Sequence, residues 1–134
     1  MLDKELLQFA IEARKQSYSP YSNFRVGAAL LTKSGKVYGG CNIENAAYTP
    51  TNCAERTAIF KAVSEGEREF AAIAIVGGKG EEPAELCAPC GVCRQVLAEF
   101  CDLDFRIILG TPENICVYTL KELLPLSFGK ADLK

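Results

Sequence analysis

The chain has 134 residues, 49% of them hydrophobic and 24% charged, with a formal net charge of -2. That length suits one domain, 1–134, around one core, and the near-neutral balance offers no electrostatic footprint for a nucleic-acid polymer. No apolar run approaches the ~20 residues of a membrane helix, and Met1-Leu2-Asp3-Lys4-Glu5 is too charged to read as a secretion signal.

Residues 2–16 read as an amphipathic helix. Leu2, Leu6, Phe9, Ala10 and Ala13 recur at helical spacing, with acids early and Arg14 and Lys15 late, as the helix dipole favours. The run Ser17-Tyr18-Ser19-Pro20-Tyr21-Ser22 breaks it. Strands are predicted over 24–31 and 37–42, joined as a hairpin by Lys33-Ser34-Gly35-Lys36. After a loop over 43–51, a helix should start at Asn52 or Cys53 and stop at Gly66. Its inner face, Ala54, Ala58, Ile59, Ala62 and Val63, is small enough for close packing on a sheet. The continuous apolar run over 70–76 predicts a strand buried on both faces. A polar, glycine-rich loop over 77–86 precedes a helix over 91–100, with Val92, Val96, Leu97 and Phe100 turned inward. Strands follow over 105–109 and 115–118. Thr119-Leu120-Lys121-Glu122 is a capping box for a short helix, Pro125 stops it, and a tail with Phe128 remains. Helices alternating with strands predict an α/β class with a largely buried sheet.

Seven cysteines and no histidine set the chemistry. An odd count without a secretion signal points to reduced thiols, a cytoplasmic setting and metal ligation. With no imidazole, thiolates or carboxylates must hold any metal and serve any proton transfer. Pro89-Cys90-Gly91-Val92-Cys93-Arg94 has the spacing of a two-thiolate metal clip. Asn52-Cys53-Ala54-Glu55-Arg56 opens the other central helix with a cysteine and, two residues on, a carboxylate. Helix N-termini favour thiolates, so Cys53, Cys90 and Cys93 could share one zinc with a coordination position left open. Glu55 could then carry protons from outside the ligand set. The alternatives are specific. Glu55 could be the third residue of a helix cap begun by Asn52. Cys87 could be a fourth ligand, which would close the site and make it structural. Cys41, Cys101 and Cys116 read as small buried hydrophobes. Arg56 and Arg94 each follow a site residue, and either could donate hydrogen bonds to sulfur.

The Cys-x-Glu and Pro-Cys-x-x-Cys pair is the signature of zinc-dependent deaminases. With Cys41-Asn42-Ile43-Glu44-Asn45-Ala46-Ala47-Tyr48 added, the chain resembles the small bacterial-type cytidine deaminases from Tyr18 to Leu133. The resemblance implies a three-layer cytidine deaminase-like fold, a five-stranded mixed sheet with helices on both faces. It implies one zinc per chain on Cys53, Cys90 and Cys93, with Glu55 catalytic and Arg56 compensating the charge on sulfur. The implied reaction is hydrolysis of cytidine and deoxycytidine to uridine and deoxyuridine with release of ammonia, in pyrimidine salvage. Asn42 and Glu44 match positions that bond ribose hydroxyls, and Phe24 matches an aromatic beside the nucleoside. The Ala54 backbone and the Glu55 carboxylate match contacts to the base. The family is homotetrameric with shared active sites, so Phe128 is expected over the nucleoside of an adjacent chain, and Ala46 and Tyr48 at an interface. By residue type alone, Asn42-x-Glu44-Asn45 is ordinary turn chemistry and Phe24 and Tyr48 are packing aromatics. The rival readings are a deaminase of a related aminated pyrimidine such as blasticidin S, and a non-catalytic zinc-stabilised binding module. The metal shell separates the second from an enzyme.

Overall fold

The computed structural model describes residues 1–83 and 86–133. Helix α1 (Asp3–Arg14) leads into strands β1 (Arg25–Thr32) and β2 (Val37–Cys41), helix α2 (Ala54–Ser64) and strand β3 (Phe70–Gly78). Helix α3 (Gly91–Phe100), strands β4 (Arg106–Thr111) and β5 (Asn114–Thr119), helix α4 (Leu120–Leu123) and a 3-10 turn at Lys130–Leu133 complete it. This is the order that the periodicity predicts, with the ends moved by a residue or two. The loop expected over 77–86 starts later, because Gly77 and Gly78 still pair with Val26 and Arg25 of β1. Ala84 and Glu85, within that expected loop, lie outside the described residues.

The five strands lie in the order β2-β1-β3-β4-β5. All neighbours are antiparallel except β3 and β4, which run parallel with Ile73 beside Ile107. Alternate residues of a strand face opposite sides. Ala29, Ala72, Ala74, Val76 and Ile108 therefore meet Leu6, Leu7 and Ala10 of α1. Ala28, Leu30, Ile73, Ile75, Ile107 and Leu109 meet Ala54, Ala58, Ile59 and Ala62 of α2 and Leu97 of α3 on the other side. The result is three layers around a central β3, which is why that strand reads as one apolar run.

Two helix faces differ from the expected ones. In α1, Leu2 and Phe9 are exposed, while Leu6, Leu7, Ala10 and Arg14 are buried. The helix turns its Leu7–Ala10–Arg14 seam to the sheet because Gly27 lets the backbones touch. A Cβ on Gly27 would collide with Ala10 O and sit 2.5 Å from Arg14 N. In α3, Val92 is exposed, and Cys93 is buried together with Leu97 one turn on. Aiming Cys93 inward turns Val92 to the surface.

The small face of α2 does what its residues predict. A Cβ on Gly40 of β2 would stand 2.5 Å from Ala54 O and 2.6 Å from Ala58 N. Only glycine on the strand and alanines on the helix permit that approach. It holds the first turn of α2, with Cys53 and Glu55, hard against the sheet.

Candidate active site

The N-termini of α2 and α3 converge, and a cysteine caps each: Cys53 on α2 and Cys90 on α3. Both caps have extended backbone, as N-cap residues do, but only the Cys90 side chain accepts from an amide of the first turn. Cys93 N points at Cys90 Sγ at 3.5 Å. The sulfurs of Cys53 and Cys90 are 3.8 Å apart and those of Cys90 and Cys93 3.5 Å, with all three within 4.8 Å of one another. Ligands 2.3 Å from a tetrahedral zinc stand about 3.8 Å from each other, so the cluster already has the spacing zinc requires. Cys87 is not among the sulfurs that close on this point. It lines the same cavity beside Ala88, with its Sγ against Gly77. The donor set is three sulfurs, which leaves a position open, and the closed four-sulfur site is not what the geometry forms.

Charge is managed locally. Arg56 Nη2 donates to Cys53 Sγ at 3.2 Å. A hydrogen bond from Cys93 and this guanidinium hold the Cys53 thiol well below the usual range, against the effect of burial. Cys93, as the donor to Cys53, is pushed up. Arg94 does something else: it donates to Pro89 O and Leu123 O, both at 2.7 Å, and so ties α3 to its preceding loop and to α4. Only Arg56 of the two arginines serves sulfur. Arg56→Gln should therefore raise the Cys53 thiol pKa in metal-free protein and weaken zinc by about tenfold to a hundredfold. Alkylation of the Cys53 peptide across pH reads the first effect. An unmoved profile would remove Arg56 from the charge balance.

Glu55 lies in the first turn of α2 and is 5% exposed. It does not cap the helix; Cys53 holds the N-cap position, and Asn52 Nδ2 instead donates to Thr57 Oγ1 at 3.1 Å. Burial pushes the Glu55 carboxyl up to about 7, and the negative Cys53 adds to the rise. A carboxyl poised at that value beside an open metal position can accept and return a proton near neutral pH.

A cavity of about 190 Å³ gathers Cys53, Ala54, Glu55, Cys90 and Asn42, with Val26, Cys87 and Ala88 also lining it. A neighbouring cavity of about 330 Å³ holds Glu44 and Tyr48 and shares Thr51 with the first. Asn42 is a local clasp: Nδ2 donates to Phe24 O at 2.8 Å, and Oδ1 accepts from Val26 N at 2.9 Å and from Ser17 Oγ. Glu44 accepts from the amides of Tyr21 and Ser22 and from Ser22 Oγ. Phe24 packs at the edge of the core, with its ring next to Cys87 across Gly77. Ala46 and Phe128 line neither cavity within the single chain, and both are exposed. The sequence gives no signal for Val26, Thr51 or Ala88 as cavity residues beyond their nearness to the motifs.

The family model for the cytidine and deoxycytidylate deaminase zinc-binding region matches residues 1–109. The chain is similar to a cytidine deaminase of Sporosarcina psychrophila, 51% identical over 131 residues, covering 97% of this chain and 93% of that one. The crystal structure of cytidine deaminase from Burkholderia pseudomallei matches with a TM-score of 0.87 at 47% identity, covering 96% of this chain and 100% of that chain. A blasticidin-S deaminase of Bacillus cereus is 30% identical over 132 residues, covering 96% of this chain and 93% of that one.

Proposed function

This chain belongs to the cytidine and deoxycytidylate deaminase family, and from that premise we propose that it hydrolyses cytidine and deoxycytidine to uridine and deoxyuridine with release of ammonia. One observation carries the reading: three sulfurs stand at zinc spacing, and two of them, Cys53 and Cys90, line one cavity with a buried Glu55. Zinc on Cys53, Cys90 and Cys93, when bound, supplies the Lewis acidity that lets water ionise near neutral pH. Glu55 Oε takes the proton from the attacking water, delivers it to the pyrimidine N3, and carries a second to the leaving amine. The Ala54 N–H and the Glu55 carboxyl orient the base. Arg56 keeps the sulfurs from accumulating negative charge. Asn42 has a second Nδ2 hydrogen beyond the one given to Phe24 O, and Glu44 keeps lone pairs beyond those used by Tyr21 and Ser22. Both can therefore reach a ribose hydroxyl while still holding the loop. The ring of Phe24 packs beside the nucleoside.

The proposal extends to assembly and setting: one domain, a homotetramer with shared sites, in the cytoplasm. Phe128 is 60% exposed and Tyr48 73% exposed in the single chain. An open Tyr48 ring at the edge of the second cavity and an open Phe128 ring on the tail support packing of both on a neighbour, and Ala46 is exposed for the same contact. None of the helices among the described residues is long and apolar enough to cross a membrane. Sedimentation should give a tetramer; a fully active monomer would end the shared-site reading. The function itself is tested by ammonia release from cytidine, deoxycytidine, cytosine and blasticidin S. Turnover of the two nucleosides is expected. Turnover of blasticidin S alone, or of none, would overturn the assignment.

A further inference from the structure

Arg14 ends α1, is only 3% exposed, and spends its guanidinium on four backbone carbonyls. Nε donates to Arg25 O at 3.0 Å, Nη1 to Glu81 O at 2.9 Å, and Nη2 to Gly78 O and Gly80 O at 2.6 Å each. A planar fork of five N–H donors can meet four carbonyls at once; an ammonium offers three from one point. All four of these hydrogen bonds go to backbone oxygens, with the charges of Glu81 and Glu82 nearby.

None of these four residues lines the metal cavity, but each stands near residues that do. Arg25 sits between Phe24, whose ring borders Gly77 as the Cys87 side chain does, and Val26, which lines the cavity. Gly78, Gly80 and Glu81 follow β3, whose Gly77 borders the Cys87 sulfur, and Cys87, Ala88 and Cys90 line the cavity. The β1–β3 ladder stops at the Arg25–Gly78 pair. Beyond it, Arg14 carries the attachment, with a longer contact from Arg25 to Gly80 O at 3.4 Å.

We propose that Arg14 is a positioning residue for the deamination: it clamps the start of β1 to the segment after β3 and so fixes the shape of the cavity that Val26, Cys87 and Ala88 line. This rests on that cavity being the substrate site. Arg14 itself touches no reacting atom. Cys53 and Glu55 are held separately, by the packing of α2 on Gly40. Loosening the clamp should therefore weaken substrate binding and leave the chemical step nearly intact.

The test compares the zinc-loaded full chain with Arg14→Lys and Arg14→Ala. In Arg14→Ala, KM for cytidine should rise about tenfold while kcat stays within about twofold. Arg14→Lys, which keeps the stem and the charge, should show a smaller rise. Hydrogen exchange at the amides of Leu86, Cys87, Ala88 and Cys90 should accelerate in both. Millimolar guanidinium chloride, and not equal sodium chloride, should lower KM again in Arg14→Ala. An unchanged KM, unchanged exchange at those amides, or a fall in kcat at constant KM would each overturn the clamp. If Arg14→Ala fails to fold, Arg14→Lys decides through the same KM and exchange readouts. Wild-type protein inactive on cytidine would end the deaminase reading, whereas the exchange rates would still report on the clamp.

Discussion

Glu55→Gln is expected to keep the fold and one zinc per chain while lowering kcat by about a thousandfold, within the range that positioned general acid–base groups supply. The side chain is 5% exposed and faces the sulfur cluster, so an amide of the same shape preserves the packing. What it removes is the proton carrier. The carboxyl, pushed up to about 7 by burial, can hold or release a proton at working pH, and an amide does neither. Stability gives an independent readout in the metal-free protein. Between the ordinary value of 4.5 and about 7, the folded chain binds a proton at Glu55 that the unfolded chain does not. Stability therefore falls as pH rises through that window. The amide lacks this penalty, so the melting temperature of Glu55→Gln relative to wild type should climb from pH 4.5 to pH 7 and then level off. Near-normal turnover in the variant would defeat the proposed role. A flat difference in melting temperature would contradict the buried, raised carboxyl.

The second large effect separates the four cysteines around the cavity. Cys53→Ser, Cys90→Ser and Cys93→Ser should each lose zinc on dialysis, because a neutral hydroxyl replaces one of three converging thiolates. The loss in affinity should exceed the tenfold to hundredfold typical of changes outside the ligand shell. Cys87→Ser should retain one zinc per chain. Its sulfur lines the cavity but stays out of the cluster, and its place against Gly77 and Phe24 tolerates a smaller group. Atomic absorption after dialysis checks all four. Zinc lost from Cys87→Ser would mean a closed shell of four sulfurs and a structural site. Zinc kept by Cys93→Ser would mean that the metal does not sit where the sulfurs converge.

Much of this was legible in the chain because it is local. The spacing of Cys90 and Cys93 fits one turn of helix, and Glu55 follows Cys53 by two residues at the start of α2. Apolar periodicity, the continuous apolar run of β3 and the capping box of α4 placed the α-helices and strands, while the 3-10 turn at Lys130–Leu133 was not foreseen. The small residues Ala54, Ala58 and Ala62 foretold a helix pressed onto a sheet, and Gly40 supplied its other half. The family signature added the substrate, which no periodicity contains.

Tertiary structure decided what depends on residues far apart. Cys53 and Cys90 are 37 positions apart, and they meet because the parallel pairing of β3 and β4 sets α2 and α3 on the same face of the sheet. Arg94 and Arg56 look alike in sequence, yet only one points at sulfur, since the other is drawn to the carbonyls of Pro89 and Leu123. Arg14 reads as a charge suited to the last turn of a helix. Its burial follows from Gly27, thirteen residues on, and from carbonyls more than sixty residues on that only the folded chain assembles. Spacing fixes which side chains share a helix face. It does not say which backbone oxygens will be left without partners where a strand ends and a loop begins, and the guanidinium of Arg14 goes to those oxygens.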